Sequence, residues 1–137
     1  REVVLAAVTQ NGHALQHASA ELRSDWEMAL AAVAQEGTAL HYTSAELRGD
    51  REVVLAAVRQ HGLALEYASV ALKGDREVVL PAIAQNHNAL KYASRRLMGD
   101  KQVILAAVAQ NSSDALEYAS AELKGDREVV QAAVAQN

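Results

Sequence analysis

The strongest constraint on how this chain can fold is internal repetition. The run from Arg51 to Val58, Arg-Glu-Val-Val-Leu-Ala-Ala-Val, has near copies starting at Arg1, Arg76, Lys101 and Arg127, and a weaker one at Trp26. Successive starts lie 25, 25, 25, 25 and 26 residues apart, the extra residue falling between Ser112 and Asp114. The chain therefore divides into units 1–25, 26–50, 51–75, 76–100 and 101–126, with a partial unit at 127–137. A unit this short cannot bury its own apolar face, so units must cover one another, which is the logic of a solenoid. We number the positions within a unit as slots 1 to 25.

Several slots hold one residue in every unit. Slot 7 is Ala (Ala7, Ala32, Ala57, Ala82, Ala107, Ala133), and slot 10 is Gln (Gln10, Gln35, Gln60, Gln85, Gln110, Gln136). Slots 14 and 15 are Ala-Leu, slot 19 is Ser (Ser19, Ser44, Ser69, Ser94, Ser120), slot 22 is Leu, and slot 25 is Asp (Asp25, Asp50, Asp75, Asp100, Asp126). Identity at fixed spacing within one chain implies a repeated physical environment.

The unit reads as two helices. Asp at slot 25 precedes the opening run, and its carboxylate is suited to accept a free backbone N–H at a helix start. Glu at slot 2 adds favourable negative charge to the positive helix end. The first helix runs about ten residues and stops near Gly12 and Gly62, where glycine suits a left-handed closing turn. A second, shorter helix covers Ala-Leu-x-Tyr-Ala-Ser and extends toward the slot-22 Leu. Helices this short do not stand alone, so the expected fold is all-α: an α-solenoid of 25-residue two-helix repeats, with five full units and a half unit. The slot-7, slot-15 and slot-22 residues should be buried, and the basic slots of Arg1 and Arg23 exposed. Pro81, six residues into a helix capped by Asp75, predicts a local distortion, because it removes an N–H and crowds the Glu77 carbonyl.

Composition agrees. Ala and Leu are abundant, while Gly and Pro number 7 and 1. The formal net charge of −4, with both signs interspersed, lacks the basic excess of a protein that grips a phosphate backbone. No Cys is present, which excludes disulfides and thiolate metal sites, and no run is long and apolar enough to span a bilayer. With no signal segment in view, an intracellular location, cytoplasmic or organellar, is expected. A start at Arg1 rather than Met suggests a longer parent chain.

The core Arg-Glu-Val-Val-Leu-Ala-Ala-Val-x-Gln-x-Gly-x-Ala-Leu-x-Tyr-Ala-Ser, whole at Arg51 to Ser69, resembles the family of domain of unknown function 4116, which also occurs as tandem copies of this motif. The resemblance covers essentially the whole chain. It implies a helical repeat with no assigned activity. Three units depart from the pattern: Trp26 to Leu30 replaces the usual opening, and the turns at Asn86-His87-Asn88 and Asn111-Ser112-Ser113 lack the glycine.

Each candidate chemistry competes with a structural role. Gln10, Gln35, Gln60, Gln85 and Gln110 could read a ligand once per unit, but a slot that never varies is better suited to an inter-repeat backbone ladder. The slot-19 serines read as local backbone binders, and the slot-25 aspartates as caps. Tyr42, Tyr67, Tyr92 and Tyr118 share slot 17 with His17. They could stack bases, yet half-buried rings between units, each hydroxyl reaching a polar partner, are the better reading. His13 and His17, four apart, have the spacing of a zinc pair on an α-helix but lack a third ligand. No phosphate loop, nucleophile elbow or metalloprotease helix is present, so no catalytic residue, metal or cofactor is assigned.

Variation between units is where specificity can reside. The candidate partner-binding residues are Trp26, the only Trp, with His13 at slot 13, Arg59 at slot 9, and His41, Glu66, Lys91 and Glu117 at slot 16. The expected function is a non-enzymatic scaffold or spacer for a protein partner. An accessory segment of a larger enzyme or effector is the alternative, and a modular reader of single-stranded nucleic acid is disfavoured by the charge. Gln131 replaces the slot-5 Leu of every other unit, so the last unit should cap the array, with no complete seventh unit after it. Val3, Val4 and Leu5 should leave an open apolar end suited to self-association or to a partner.

Overall fold

The computed structural model describes residues 1–136, apart from the side chains of residues 112, 113 and 136, so Gln136 at slot 10 and Ser113 at slot 13 fall outside the described side chains. The fold is all-α, and no strand occurs among the described residues. A long helix opens each unit: Glu2–Gln10, Trp26–Gln35, Arg51–Gln60, Arg76–Gln85, Lys101–Val108 and Arg127–Gln136. The first five each pack against the long helix of the next unit and against the second segment of their own, and Arg127–Gln136 packs against Lys101–Val108 and Ser112–Tyr118. The starts are set by the slot-25 carboxylates. Oδ1 of Asp25, Asp50 and Asp100 accepts the N–H of Met28, Val53 and Val103 at 3.0, 3.0 and 3.2 Å. Asp75 and Asp126 take the Glu77 and Glu128 N–H, each at 2.9 Å.

The end units show which face of each helix is covered by which neighbour. Val3 is 83 % exposed, whereas its slot-3 equivalents Met28, Val53, Val78, Val103 and Val129 are fully buried. Ala7 is exposed and the other slot-7 alanines are buried. At the far end Val134 is 65 % exposed, and its slot-8 equivalents Val8, Val33, Val58, Ile83 and Val108 are fully buried. Slots 3 and 7 therefore face the preceding unit, and slots 4 and 8 the following one. This explains the paired apolar residues: an internal helix is sandwiched, and needs two i, i+4 stripes rather than one. Slot 5 belongs to neither stripe. Leu5, Leu30, Leu55, Leu80 and Leu105 are all only half-buried, so the exposed Gln131 replaces a half-covered side chain and not a core one.

The second half of the unit departs from a continuous helix. Gly12–His17, Gly37–Tyr42, Gly62–Tyr67 and His87–Tyr92 are 3₁₀ segments, followed by a separate short turn such as Ala20–Arg23 or Val70–Lys73. Extended backbone at Ala18 and Ser19 separates the two, with ψ of 160° at each. The break turns the slot-19 N–H sideways to the slot-23 carbonyl of the preceding unit: Ser44 to Arg23 at 3.1 Å, Ser69 to Arg48 at 2.9 Å, Ser94 to Lys73 at 2.9 Å and Ser120 to Met98 at 3.0 Å. Leu15, Leu40, Leu65 and Leu90 are buried beneath this layer, whereas Leu116 is half-buried; Leu47, Leu72, Leu97 and Leu123 are buried and Leu22, in the end unit, is half-buried. Slot 23 is more covered than its charge suggests, since Arg23, Arg48, Lys73 and Met98 are half-buried and only Lys124 is exposed.

In unit 5 the extra residue converts the 3₁₀ segment into an α-helix, Ser112–Tyr118. Six residues at about 2.0 Å rise and seven at about 1.5 Å span nearly the same length, so the insertion is absorbed by a change of pitch.

Glycine at slot 12 has a different cause from the one its turn position suggests. No glycine has positive φ, and slot 11 ends the long helix in extended conformation, as at Asn11 and His61. The glycine is required by close approach: a Cβ on Gly37 would lie 2.5 Å from the Ala57 carbonyl oxygen of the next unit. Gly12 and Gly62 meet the carbonyls of Ala32 and Ala82 in the same way. Gly37→Ala should cost about 1–3 kcal/mol by overpacking, read as a lower urea midpoint; an unchanged midpoint would contradict the close-approach account. Pro81 lies inside one unbroken helix, Arg76–Gln85. Restoring the alanine of the other units, Pro81→Ala, returns a donor to the Glu77 carbonyl and should raise stability by roughly 1–3 kcal/mol, measured in the same denaturation experiment.

Candidate interaction surface

The polar residues that repeat identically are engaged between units. The slot-10 amide bridges two backbone groups of the preceding unit. Gln60 Nε2 donates to the Gln35 carbonyl at 3.3 Å, and its Oε1 accepts the Gly37 N–H at 2.6 Å. Gln85 repeats this on Gln60 and Gly62, at 3.4 and 2.5 Å, and Gln35 Nε2 reaches the Gln10 carbonyl at 3.1 Å. At the next seam the pattern shifts: Gln110 Nε2 donates to the Ile83 carbonyl at 2.6 Å, two residues earlier. Unit 4 has His87 at slot 12, and a side chain there has no room at the spacing the glycines permit. The long helix of unit 5 accordingly ends at Val108.

Slot 19 serves within the unit as well as between units. The hydroxyls of Ser19, Ser44, Ser69 and Ser120 accept the N–H of the slot-22 leucines at 3.2–3.3 Å. Ser94 is the exception, its buried hydroxyl lacking a partner.

Slot 1 carries the third link. Arg1 lies 3.1 Å from Asp25 and 3.3 Å from Glu27, and Arg51 lies 3.4 Å from Asp75 and 2.8 Å from Glu77. Arg76 pairs with Asp100 at 2.6 Å, and Lys101 with Asp126 and Glu128 at 3.3 and 2.8 Å. The Asp25 carboxyl is held below its ordinary range, first by the Arg1 hydrogen bond and then by the Met28 N–H. For Asp126 the Val129 N–H is the larger cause and Lys101 the smaller. Trp26 interrupts this chain of pairs. It is 43 % exposed, and no cation replaces it beside Asp50 among the described residues.

The candidate partner-binding residues are all at the surface except His13, which is half-buried. His41, Glu66, Lys91 and Glu117 recur at one slot of successive units and form a column beside the tyrosines. The His41 ring lies 5.2 Å from Tyr42 and 4.6 Å from Tyr67. The Lys91 ammonium lies 5.1 Å from the Tyr92 ring centroid. His13 joins this face through Thr38, at 2.8 Å, and the Tyr42 ring, at 5.7 Å. Among the described residues no ring contact, side-chain hydrogen bond or ion pair joins Trp26 or Arg59 to the column. Tyr42, Tyr67 and Tyr92 are half-buried, and burial pushes the Tyr67 phenol up. His13 and His17 are not a matched pair: in a 3₁₀ segment, with about three residues per turn, positions four apart point about 120° away from each other. Among the described residues no group of three His, Cys, Asp or Glu side chains is placed to hold a metal. No helix among them is long and apolar enough to cross a membrane.

Three features of this surface escape a reading by residue type. They are Arg95 and Arg96, where three other units have Ala-Glu, the Met98 that replaces a base at slot 23, and the 84 % exposed Val70. Their signal is departure from the slot pattern.

The amide bridge has a direct test. Gln60→Leu leaves the buried Gly37 N–H without an acceptor and should cost about 1–3 kcal/mol. Hydrogen exchange at the Gly37 amide should accelerate, while Gly62, held by Gln85, is much less affected; unchanged exchange at Gly37 would rule the bridge out.

Comparisons with curated proteins and with solved structures found no match. The family described as domain of unknown function (DUF4116) matches five overlapping stretches, residues 1–48, 29–73, 50–98, 75–124 and 100–137. Its matches cover the whole length of the chain, and the chain belongs to this family.

Proposed function

We propose that the array is a non-enzymatic scaffold that binds a protein partner along the column of slot 16 and the adjoining tyrosines. One observation carries this reading. The polar slots identical in every unit are used in bonds within and between units, whereas His41, Glu66, Lys91 and Glu117 differ from unit to unit and stand exposed. Repeat arrays bind extended partners along such a surface. The acidic balance of the chain disfavours a polyanion.

The test is affinity capture of the full-length protein from its native cell, comparing wild type with the combined His41→Ala, Glu66→Ala, Lys91→Ala and Glu117→Ala variant. A second arm is Trp26→Arg, which restores the residue type of the other units. The expected result is a protein whose recovery falls at least tenfold with the column variant at unchanged circular dichroism. Equal recovery by every variant would overturn the reading.

A further inference from the structure

The seam between units 4 and 5 is built differently from the others, and the differences converge on one cleft. At the seam between units 1 and 2, the crevice formed by Ala20, Arg23 and Ser24 against Tyr42, Thr43 and Ser44 holds about 140 Å³. Arg23 lies in its wall with Nε enclosed. The corresponding crevice between units 4 and 5 holds about 620 Å³ and is lined by Lys91, Ala93, Arg95 and Met98 on one side and Glu117 and Tyr118 on the other. Two substitutions and one insertion within the repeat accompany this. Met98 lacks the guanidinium that Arg23 contributes. Arg95 moves a cation from the wall to the rim, where Ala20 stands in unit 1. The inserted residue of unit 5 reshapes the segment carrying Tyr118, which is 40 % exposed while Tyr42, Tyr67 and Tyr92 are half-buried.

The result is an apolar floor of Met98, Ala93 and the Tyr118 ring beneath two cations. Neither Lys91 nor Arg95 has a carboxylate within ion-pairing distance among the described residues, and Lys91 is steadied over the Tyr92 ring. The volume lies within the range of pockets that enclose a small ligand or a few side chains. In a chain of net charge −4, a cleft with cations at its mouth and thioether and aromatic surface inside is complementary to one class of ligand.

We infer that this cleft docks a short acidic peptide segment of a protein partner, with an aliphatic or aromatic side chain seated on Met98 and Tyr118 and a neighbouring carboxylate on Lys91 and Arg95. Glu117 in the same wall repels a continuous polyanion, and tolerates a peptide whose charges are discrete. The inference rests on the scaffold reading and names where and by what chemistry a partner is held.

Met28 and Met98 are the chain's two methionines. Met28 is fully buried in unit 2 and serves as an internal reference. The probe is a capped pentapeptide with leucine flanked by two acidic residues on each side, titrated into the whole chain while the Met methyl and Tyr ring resonances are followed. The Met98 methyl and Tyr118 ring should shift saturably below millimolar peptide, and the Met28 methyl should stay in place. Replacing the acidic residues by lysine should abolish the shifts, and replacing leucine by glycine should weaken binding at least tenfold. Met98→Arg restores the slot-23 residue that units 1 and 2 already accommodate. It should close the cleft and weaken binding at least tenfold with the fold intact, and Arg95→Ala should weaken it several-fold. The inference is overturned if Met98 and Tyr118 do not respond, if the lysine peptide shifts them equally, or if an oligouridylate shifts them at lower concentration than the acidic peptide. A cellular partner recovered equally by wild type and Met98→Arg would leave the scaffold reading standing and remove this site from it.

Discussion

The structure depends on how closely one unit can approach the next at slot 12. There the absent side chain of Gly37 admits the Ala57 carbonyl, and the Gln60 amide spans the gap and takes the Gly37 N–H. The two slots are one device. Glycine sets the distance, and glutamine satisfies the backbone groups that such an approach strips of water. Where the glycine is lost at His87, the glutamine of the following unit bonds to the Ile83 carbonyl instead, and the adjoining helix ends two residues earlier than its counterparts.

Around this clamp the units are joined by two further sets of links and by apolar contact between neighbouring long helices. The slot-19 N–H and slot-23 carbonyl form a backbone link on the short-segment side. The slot-1 cations join the long-helix starts through the capping aspartates of the next unit. Ion pairs so exposed contribute little individually. Their absence at Trp26 is therefore tolerable, and the slot-3, slot-7, slot-4 and slot-8 side chains supply most of the cohesion. Because these bonds all run to adjacent units, the polar residues most regular in the sequence are removed from the surface chemistry, and the irregular ones are left to it.

Much of this was legible in the residues alone. The period, the all-α class, the caps at Asp25 and its equivalents and the depth of Leu15, Leu40, Leu65 and Leu90 follow from spacing and side-chain chemistry. Other features require distances between units, which no single unit encodes. Gly62 reads as a turn former because its conformational freedom is visible in sequence, whereas the Ala82 carbonyl pressing on it is not. The 3₁₀ pitch of Gly37–Tyr42 is hidden because Ala, Leu and Tyr suit either helix, and what selects the tighter one is the length available between two fixed ends. Arg23 looks like a surface base, yet its stem lies in a seam, as long cationic side chains often do. The cleft at Met98 and Tyr118 is invisible in residue type, since neither side chain is unusual except in its slot.

The exchange between 3₁₀ and α pitch in unit 5 has an implication for how such arrays lengthen. A single added residue ordinarily rotates everything after it by about 100° in a helix, which would misalign every later contact. Here Ser120 still meets the Met98 carbonyl at 3.0 Å and Asp126 still caps the final helix. The second segment thus works as an expansion joint, taking up a change in chain length inside one unit. The insertion in unit 5 alters one stretch of outer surface and leaves the Ser120 link and the Asp126 cap in place, so surface shape can change there without loss of the contacts that follow.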